Sequence, residues 1–146
     1  MKNTRRLLRV FIDTSVLLSG LNSPQGASGV ILSLFKLRKI SLFVSVEVLQ
    51  EAERVMRVKF PHLATPFLDF LSGRPAFSPK LSFKDIQRVY KLMPSEDAPI
   101  FAGAVKTRAD FLVTLDKEFE KLAQRKSKIK AMSPGAFLGL YRQYGV

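Results

Sequence analysis

Hydrophobic residues along the chain fall into short runs typical of buried strands and longer stretches with helical periodicity. Four of the short runs predict strands, at 7–12, 40–45, 110–116 and 128–132. Periodic apolar positions, together with start and stop signals, predict helices at 28–39, 46–60, 63–73, 83–93, 95–108, 117–126 and 133–145. Strands that alternate with helices predict an α/β domain with a mainly parallel sheet.

Turn formers and capping residues mark the boundaries of these elements. Clusters of Gly, Pro, Asn and Ser predict loops at 20–28 and 74–82. Ser82 and Asp85 form an Asp variant of the capping box, which indicates that a helix begins directly after Ser82.

Composition limits the chemistry that the chain can perform. The 146 residues include no Cys and one His, His62, which excludes disulfides, Cys-ligated zinc and two-histidine catalysis. No serine stands in the G-x-S-x-G frame. No apolar run approaches the roughly 20 residues that span a bilayer. We therefore expect one cytoplasmic domain over 1–146, with no membrane contact and with His62 in a loop or on the surface.

The net charge changes the picture more than any other compositional feature. Twenty-four Lys and Arg oppose twelve Asp and Glu, a formal net charge of +12. Such a balance favours a polyanionic partner, with nucleic acid first and an anionic membrane surface second. A generally basic surface without a specific partner is the plainer alternative. Because no long amphipathic helix includes the basic N-terminus, membrane association is the weakest of these interpretations.

Two acids follow predicted strands directly. Asp13 ends the first strand and Asp116 ends the third. Ligand sites of open α/β sheets lie beyond the carboxyl ends of the strands, so both side chains are expected at the same end of the sheet. A turn, a helix cap and a metal ligand are all compatible with Asp13 alone.

Two further acids lie on predicted helices. Asp97 begins the helix before the third strand and shares an arc with Phe101, Ala104 and Val105, the face expected to pack on the sheet. For Asp97 taken alone, a helix N-cap or a first-turn acid is the favoured explanation. Glu51 borders an apolar stripe that includes Val55 and Val58, and a salt bridge to Arg54 or a solvated position explains it as well as a functional role does.

Considered together, four carboxylates at one end of a sheet require compensation. Two unit charges 4 Å apart repel by about 4 kcal/mol at an effective dielectric constant near 20. Hard divalent cations, which take oxygen ligands, would offset that repulsion. Two such ions bridged by carboxylates can support phosphodiester hydrolysis without any His.

The chain resembles the PIN-domain ribonucleases, a family that includes the toxins of many bacterial and archaeal toxin–antitoxin modules. The matching stretches keep the family's order along nearly the whole chain: "VFIDTSVLLSG", "LFVSVEVLQEAERV", "EDAPIFAGAVKTRADFLVTLD" and "IKAMSPGAFL". The resemblance implies a three-layer α/β/α fold with a mainly parallel sheet of four to five strands. It also implies Mg²⁺- or Mn²⁺-dependent endoribonuclease activity on RNA.

The resemblance carries over to individual residues. The acidic metal site, expected to be catalytic, is matched by Asp13, Glu51, Asp97 and Asp116. Supporting polar positions are matched by Ser15 and Thr114, for which a cap or strand-end hydrogen bond is the alternative. Glu47 could take the place of Glu51. Candidate contacts to the RNA backbone are Lys106 and Arg108, followed by Arg5, Arg6 and Arg9, all of which solvation alone would also explain.

Other functions remain open at this point. The chain could be a catalytically silent PIN-like module for RNA binding or RNA processing, or an interaction module whose acids are caps and salt bridges. A phosphatase is a weaker alternative, since Asp13 is not followed by the Asp-x-Asp pairing of aspartyl-phosphate enzymes. An antitoxin partner and a homodimer are implied by the family resemblance alone.

Overall fold

A five-stranded parallel sheet forms the centre of the molecule. The computed structural model describes residues 6–92 and 97–143. The strands are β1 (Arg9–Ile12), β2 (Ser41–Val44), β3 (Ala76–Phe77), β4 (Phe111–Val113) and β5 (Lys130–Met132). They lie in the order β3-β2-β1-β4-β5, and every neighbouring pair is parallel. The prediction of an α/β fold with a mainly parallel sheet is confirmed.

Helices cover both faces of this sheet. They are α1 (Thr14–Asn22), α2 (Ala27–Lys36), α3 (Val46–Lys59), α4 (Ala64–Ser72), α5 (Phe83–Leu92), α6 (Ala98–Lys106), α7 (Lys117–Lys126) and α8 (Pro134–Gln143), with a 3₁₀ turn at Pro61–Leu63. Right-handed crossovers put the helices of the first two connections on one face and those of the next two on the other. Ring contacts agree, because Phe35 of α2 meets Phe70 of α4 while Phe101 of α6 meets Phe119 of α7. The fold thus has three layers.

None of the described helices is long and apolar enough to span a membrane.

Some predictions concern residues that the structure does not describe. Arg5 and the predicted helical residues at 93, 95–96 and 144–145 lie outside the described residues. The surface position expected for His62 is confirmed, since its ring is exposed in the 3₁₀ turn. The capping box is also confirmed: the Ser82 amide donates to the Asp85 carboxylate, and the Asp85 amide donates to the Ser82 hydroxyl.

Two predicted loops contain regular structure. The loop expected at 20–28 begins inside α1 and ends inside α2. Helix α1 was not predicted, and its fully buried residues Val16 and Leu17 stabilise it despite the turn formers at its end. The loop expected at 74–82 contains β3, a two-residue strand too short to show any periodicity. Val58 and Val105, expected on or beside packed faces, are 75% and 44% exposed.

The central strand β1 determines where a site can form. Its residues Val10, Phe11 and Ile12 are fully buried, as expected for a strand of a parallel sheet covered on both faces. β1 is bonded to β2 on one side and to β4 on the other. The strand order reverses between β1 and β4, which makes the gap beyond their carboxyl ends the topological switch point.

Three helices are followed by an arginine in the left-handed conformation. Arg38, Arg74 and Arg108 have φ angles of 58°, 58° and 54°. Each stands two residues after the last residue of α2, α4 or α6, where glycine is the usual residue. The left-handed conformation costs a residue with a Cβ roughly 1 kcal/mol. This strain is present at all three junctions, which lead into β2, β3 and β4.

A close backbone contact at Gly29 fixes the start of α2. A Cβ at Gly29 would lie 2.3 Å from the Pro24 carbonyl oxygen, whereas a Cβ at Gly139 of α8 would meet no atom within 4 Å. We expect Gly29→Ala to lower the free energy of unfolding by about 1–3 kcal/mol through overpacking. The matched change Gly139→Ala should raise it by about 0.5–1 kcal/mol through helix propensity. Urea unfolding measures both, and equal effects would contradict the packing inferred at Gly29.

Candidate active site at the carboxyl end of the sheet

Asp13 is a buried carboxylate at the carboxyl end of β1. Its residue is 6% exposed, and its side chain caps α1 by accepting from the Val16 amide at 3.1 Å. The Ser15 hydroxyl donates to the same oxygen, Oδ1, at 2.6 Å, and the Thr114 hydroxyl donates to Oδ2. Burial raises the pKa of Asp13, the nearby Asp116 charge raises it further, and these three hydrogen bonds oppose the rise.

Asp116 follows β4 and faces the same switch point. Its Oδ1 caps α7 by accepting from the amides of Glu118 and Phe119 at 3.0 and 3.1 Å. The Thr114 hydroxyl accepts from the Asp116 amide at 3.0 Å while it donates to Asp13. One hydroxyl group therefore connects the two acids. The expected proximity of Asp13 and Asp116 is present, and both acids also serve as helix caps.

Glu51 and Asp97 lie in a second acidic group beside the first. An open cleft of about 410 Å³ is lined by Glu47, Gln50, Glu51, Arg54 and Asp97. Glu51 is exposed, and its Oε2 accepts from the hydroxyl of Thr14 at 3.0 Å. Because Thr14 is the residue after Asp13, this hydrogen bond joins the cleft to the first turn of α1. Glu47 lines the same cleft without replacing Glu51 as the partner of Thr14.

Asp97 is placed by the start of α6. It stands at the N-cap position with helical backbone angles, and its side chain does not cap the helix. Its own carbonyl accepts from the Phe101 amide at 2.9 Å, so the first turn of α6 is well formed. The capping explanation of the Asp97 side chain is therefore not supported by the geometry, while the partly buried carboxylate lines the cleft shared with Glu51.

The four predicted site acids thus form two neighbouring pairs. In the ranges 6–92 and 97–143, no group of three or more acidic or His side chains is arranged to hold a metal ion. The chemistry of the donors nevertheless fits a hard divalent cation, since all are carboxylate or hydroxyl oxygens and one carboxylate is buried. Asp13, Asp116, Glu51 and Asp97 are the residues that would hold such an ion.

The predicted substrate-binding cations lie away from these acids. Lys106 ends α6 and pairs with Asp85 at 2.7 Å, and Arg108 lies in the turn that enters β4. Arg6 pairs with Asp110 at that same end of the sheet. The Arg9 side chain reaches back to the Thr107 carbonyl and covers the Phe43 ring at 4.5 Å. The structure brings none of these four to the carboxyl ends of β1 and β4.

Sequence reasoning missed two residues of the site. Thr14 positions Glu51, and Arg54 is the basic residue in the wall of the acidic cleft. Thr14 directly follows Asp13, an expected ligand, and this position could have identified it from the sequence. Arg54 stands one turn before Val58 and three residues after Glu51, a spacing that puts it on the same side of α3 as Glu51.

The raised pKa of Asp13 predicts a pH-dependent penalty on folding. Without metal, the folded protein keeps a proton on Asp13 at pH values where the unfolded chain, with an ordinary pKa near 3.8, has lost it. The free energy of unfolding should therefore fall as pH rises from about 4 through the raised pKa. Asp13→Asn should lack this contribution and be the more stable protein at neutral pH.

Urea unfolding in chelator across this pH range measures the difference. Ser15→Ala, which removes one opposing hydrogen bond but keeps the carboxylate, serves as the control and should retain the wild-type direction of the pH dependence. Identical pH profiles for wild type and Asp13→Asn would contradict the buried-carboxylate interpretation.

Comparison with known proteins agrees with this architecture. A family model described as the PIN domain matches residues 9–118. The crystal structure of PAE2754 from Pyrobaculum aerophilum is 18% identical, with a TM-score of 0.60 and coverage of 93% of this chain and 90% of that one. The structure of VapBC2 from Rickettsia felis, bound to a DNA fragment from their promoter, is 16% identical, with a TM-score of 0.65 and coverage of 84% and 96%.

Comparison with curated protein sequences gives no match. The family model nevertheless spans β1 through the first turn of α7 and includes Asp13, Glu51, Asp97 and Asp116. The structural neighbours share the three-layer arrangement over most of their length. The chain therefore belongs to the PIN-domain family, a family of nucleases that generally use divalent metal ions.

Proposed function

We propose that this protein is a divalent-metal-dependent endoribonuclease whose active site is the acidic region at the carboxyl ends of β1 and β4. The observation that carries the proposal is the burial of the Asp13 carboxylate beside Asp116 at the switch point. Ser or Asn would cap α1 equally well. A buried charge next to a like charge is costly, so capping alone does not account for an Asp at this position.

The proposed metal ligands are Asp13, Glu51, Asp97 and Asp116, with Mg²⁺ or Mn²⁺ as the ion. A bound divalent ion would activate water and stabilise the leaving oxygen of a phosphodiester. Oxygen ligands of this kind suit both of these hard cations.

The protein's hydroxyl groups orient the acids. Ser15 and Thr114 each hold one oxygen of Asp13, and the second hydrogen bond of Thr114 fixes the backbone of Asp116. Thr14 donates to Oε2 of Glu51, which lines the cleft. We assign Glu51 the additional role of accepting a proton from the attacking water. Arg54, in the cleft wall, would contact a phosphate of the RNA.

A role as the toxin of a toxin–antitoxin module is part of the proposal. Support comes from the family, which includes such toxins, and from the fold shared with VapBC2. A cytoplasmic location and a homodimer follow from the same analogy. The antitoxin would have to neutralise or cover the acidic cleft, for which a basic segment is the complementary chemistry.

A catalytically silent PIN-domain module that binds RNA is the second candidate. The observation that favours it is the absence, in the described parts of the chain, of a group of three acids arranged to hold an ion. Such a module would bind RNA in chelator and in metal alike, and it would leave the RNA intact.

RNA cleavage separates these two candidates. We expect the 146-residue protein to cleave a labelled single-stranded RNA in millimolar Mn²⁺ or Mg²⁺ and not in EDTA. Asp13→Asn and Asp116→Asn should each reduce the rate by at least about a hundredfold, because each removes a proposed ligand. Gel analysis of the products over time measures the rate.

Thermal unfolding provides the control for this experiment. Metal that binds only the folded state raises its stability by about 2.7 kcal/mol at one hundred times Kd. We expect Mn²⁺ to raise the Tm of wild type more than that of Asp13→Asn. A metal-induced increase in Tm without any cleavage would indicate a metal-binding but silent protein. Cleavage that persists in EDTA would contradict the proposed mechanism.

The identity of the site glutamate can be tested with a matched pair of variants. Glu51 and Glu47 lie one turn apart on α3 and line the same cleft, but Glu51 accepts from Thr14. We expect Glu51→Gln to lower the cleavage rate by about a hundredfold and Glu47→Gln by no more than a few-fold. Thr14→Val should give an intermediate loss, since it releases Glu51 without removing it. Similar losses for both Gln variants would contradict the assignment.

A further inference from the structure

A row of basic residues lies at the opposite end of the sheet from the acids. We call this row the basic end and define it as Arg38, Lys39, Arg74, Arg108, Lys128 and Lys130. All six are exposed. They precede β2, β3, β4 and β5 or, for Lys130, begin the strand. Since the sheet is parallel, the amino ends of all its strands meet there.

The acids near this row are already neutralised by other cations. Asp110 pairs with Arg6, Asp69 with Lys36 and Asp85 with Lys106. None of the six residues of the basic end forms an ion pair within the described part of the chain. These six positive charges are therefore uncompensated by described neighbours, in a protein whose net charge is +12.

Two residues of the row border a common hollow. Arg38 and Arg74 line a depression of about 200 Å³ together with Lys36, Leu7 and Ser41. The depression lies at the amino end of β2, next to β3. It is large enough for a phosphate group with its surrounding water, and Arg38 and Arg74, which form no ion pair within the described residues, both line it, whereas Lys36 is already paired with Asp69.

The backbone conformation at three positions of the row indicates that a positively charged side chain has a function there. Arg38, Arg74 and Arg108 are left-handed, with φ angles of 54–58°. Glycine satisfies this conformation without strain and is the usual residue at such helix ends. Arginine at all three junctions strains the backbone where glycine would not, so we expect these residues to act through their side chains.

We propose that the basic end binds the phosphate backbone of single-stranded RNA as a second surface, distinct from the acidic site. The choice of RNA rests on the proposed ribonuclease function. Strands about 4.8 Å apart make the row across five strands about 19 Å long. A row of this length faces several consecutive phosphates of one strand. Without metal the carboxylates of the acidic site repel RNA, which favours a separate surface as the main source of binding affinity.

Fluorescence anisotropy with a labelled uridine homopolymer of about 20 nucleotides tests the proposal, with EDTA present so that nothing is cleaved. We expect the triple variant Arg38→Gly, Arg74→Gly, Arg108→Gly to bind at least about tenfold more weakly at low salt. Each lost phosphate contact should reduce the magnitude of the slope of log K against log salt by about 0.7, so the loss of three contacts should reduce it by about 2. Its Tm should be unchanged or higher, because glycine removes the left-handed strain.

Two control variants isolate charge and position. Replacing the same three arginines with Lys keeps both the charge and the strain and should retain affinity within about threefold. Replacing Lys59, Arg88 and Lys91 with Gln removes three exposed charges from α3 and α5 and should have a much smaller effect. If the glycine variant does not fold, Lys128→Gln with Lys130→Gln tests the same row.

Several results would overturn the inference. Equal losses of RNA affinity in the glycine variant and in the α3–α5 control would show that binding depends on net charge and not on the basic end. RNA binding that is insensitive to the row would remove the surface altogether. Binding of polyglutamate but not of RNA would assign the row to an acidic protein. A protein that binds RNA through the row but cleaves none would leave this inference intact and remove the nuclease proposal, so the two can fail separately.

Discussion

A carboxylate that is withdrawn from water at the end of the central strand is the constraint on which the site depends. Three donors partly offset the cost of burying the Asp13 carboxylate, and these come from different parts of the chain: Ser15 and the Val16 amide from α1, and Thr114 from the end of β4. α1 has to begin immediately after β1, and β4 has to lie next to β1, for these donors to arrive. The strand order and the first helix are therefore tied to one buried charge.

The helix dipole separates acidic from basic side chains in this fold. Helices that follow strands begin at the carboxyl end of the sheet, where their N-termini favour carboxylates, and both Asp13 and Asp116 use this as caps. Helices that precede strands end at the amino end, where cations are favoured, and Lys36, Lys106 and Lys126 stand in their last turns. A parallel sheet with helical connections thus produces a molecule with chemically opposite ends.

The sequence predicts much of this arrangement because many of its rules are local. The helix bounds at 117–126 agree with α7, and the strand-end acids follow from the position of Asp13 and Asp116 after apolar runs. The hydrogen bond from Thr14 to Glu51 joins elements 37 residues apart, and no local pattern reveals it. β3 escapes prediction because a two-residue strand is defined by its partner β2 rather than by its own sequence.

The position of Lys106 and Arg108 was open to a topological argument. A helix that leads into a parallel strand runs from the carboxyl end of the sheet to its amino end. The start of α6 at Asp97 is therefore near the acids, and its last turn is far from them. Periodicity identifies the helix but carries no information about its direction relative to the sheet, and this explains why the two cations were expected at the site.

The pairing of β1 with β4 also determines when the site can exist during synthesis. The Arg9 amide donates to the Asp110 carboxylate across 101 residues, and Val10 pairs with Phe111. A chain that grows at 5–20 residues per second needs roughly 5–20 s to make that interval. Until β4 has emerged and joined β1, Asp13 lacks both the Thr114 hydroxyl and the Asp116 neighbour. A nascent chain therefore carries its first site acid for seconds before the site is assembled, and no fragment that ends before β4 can contain it.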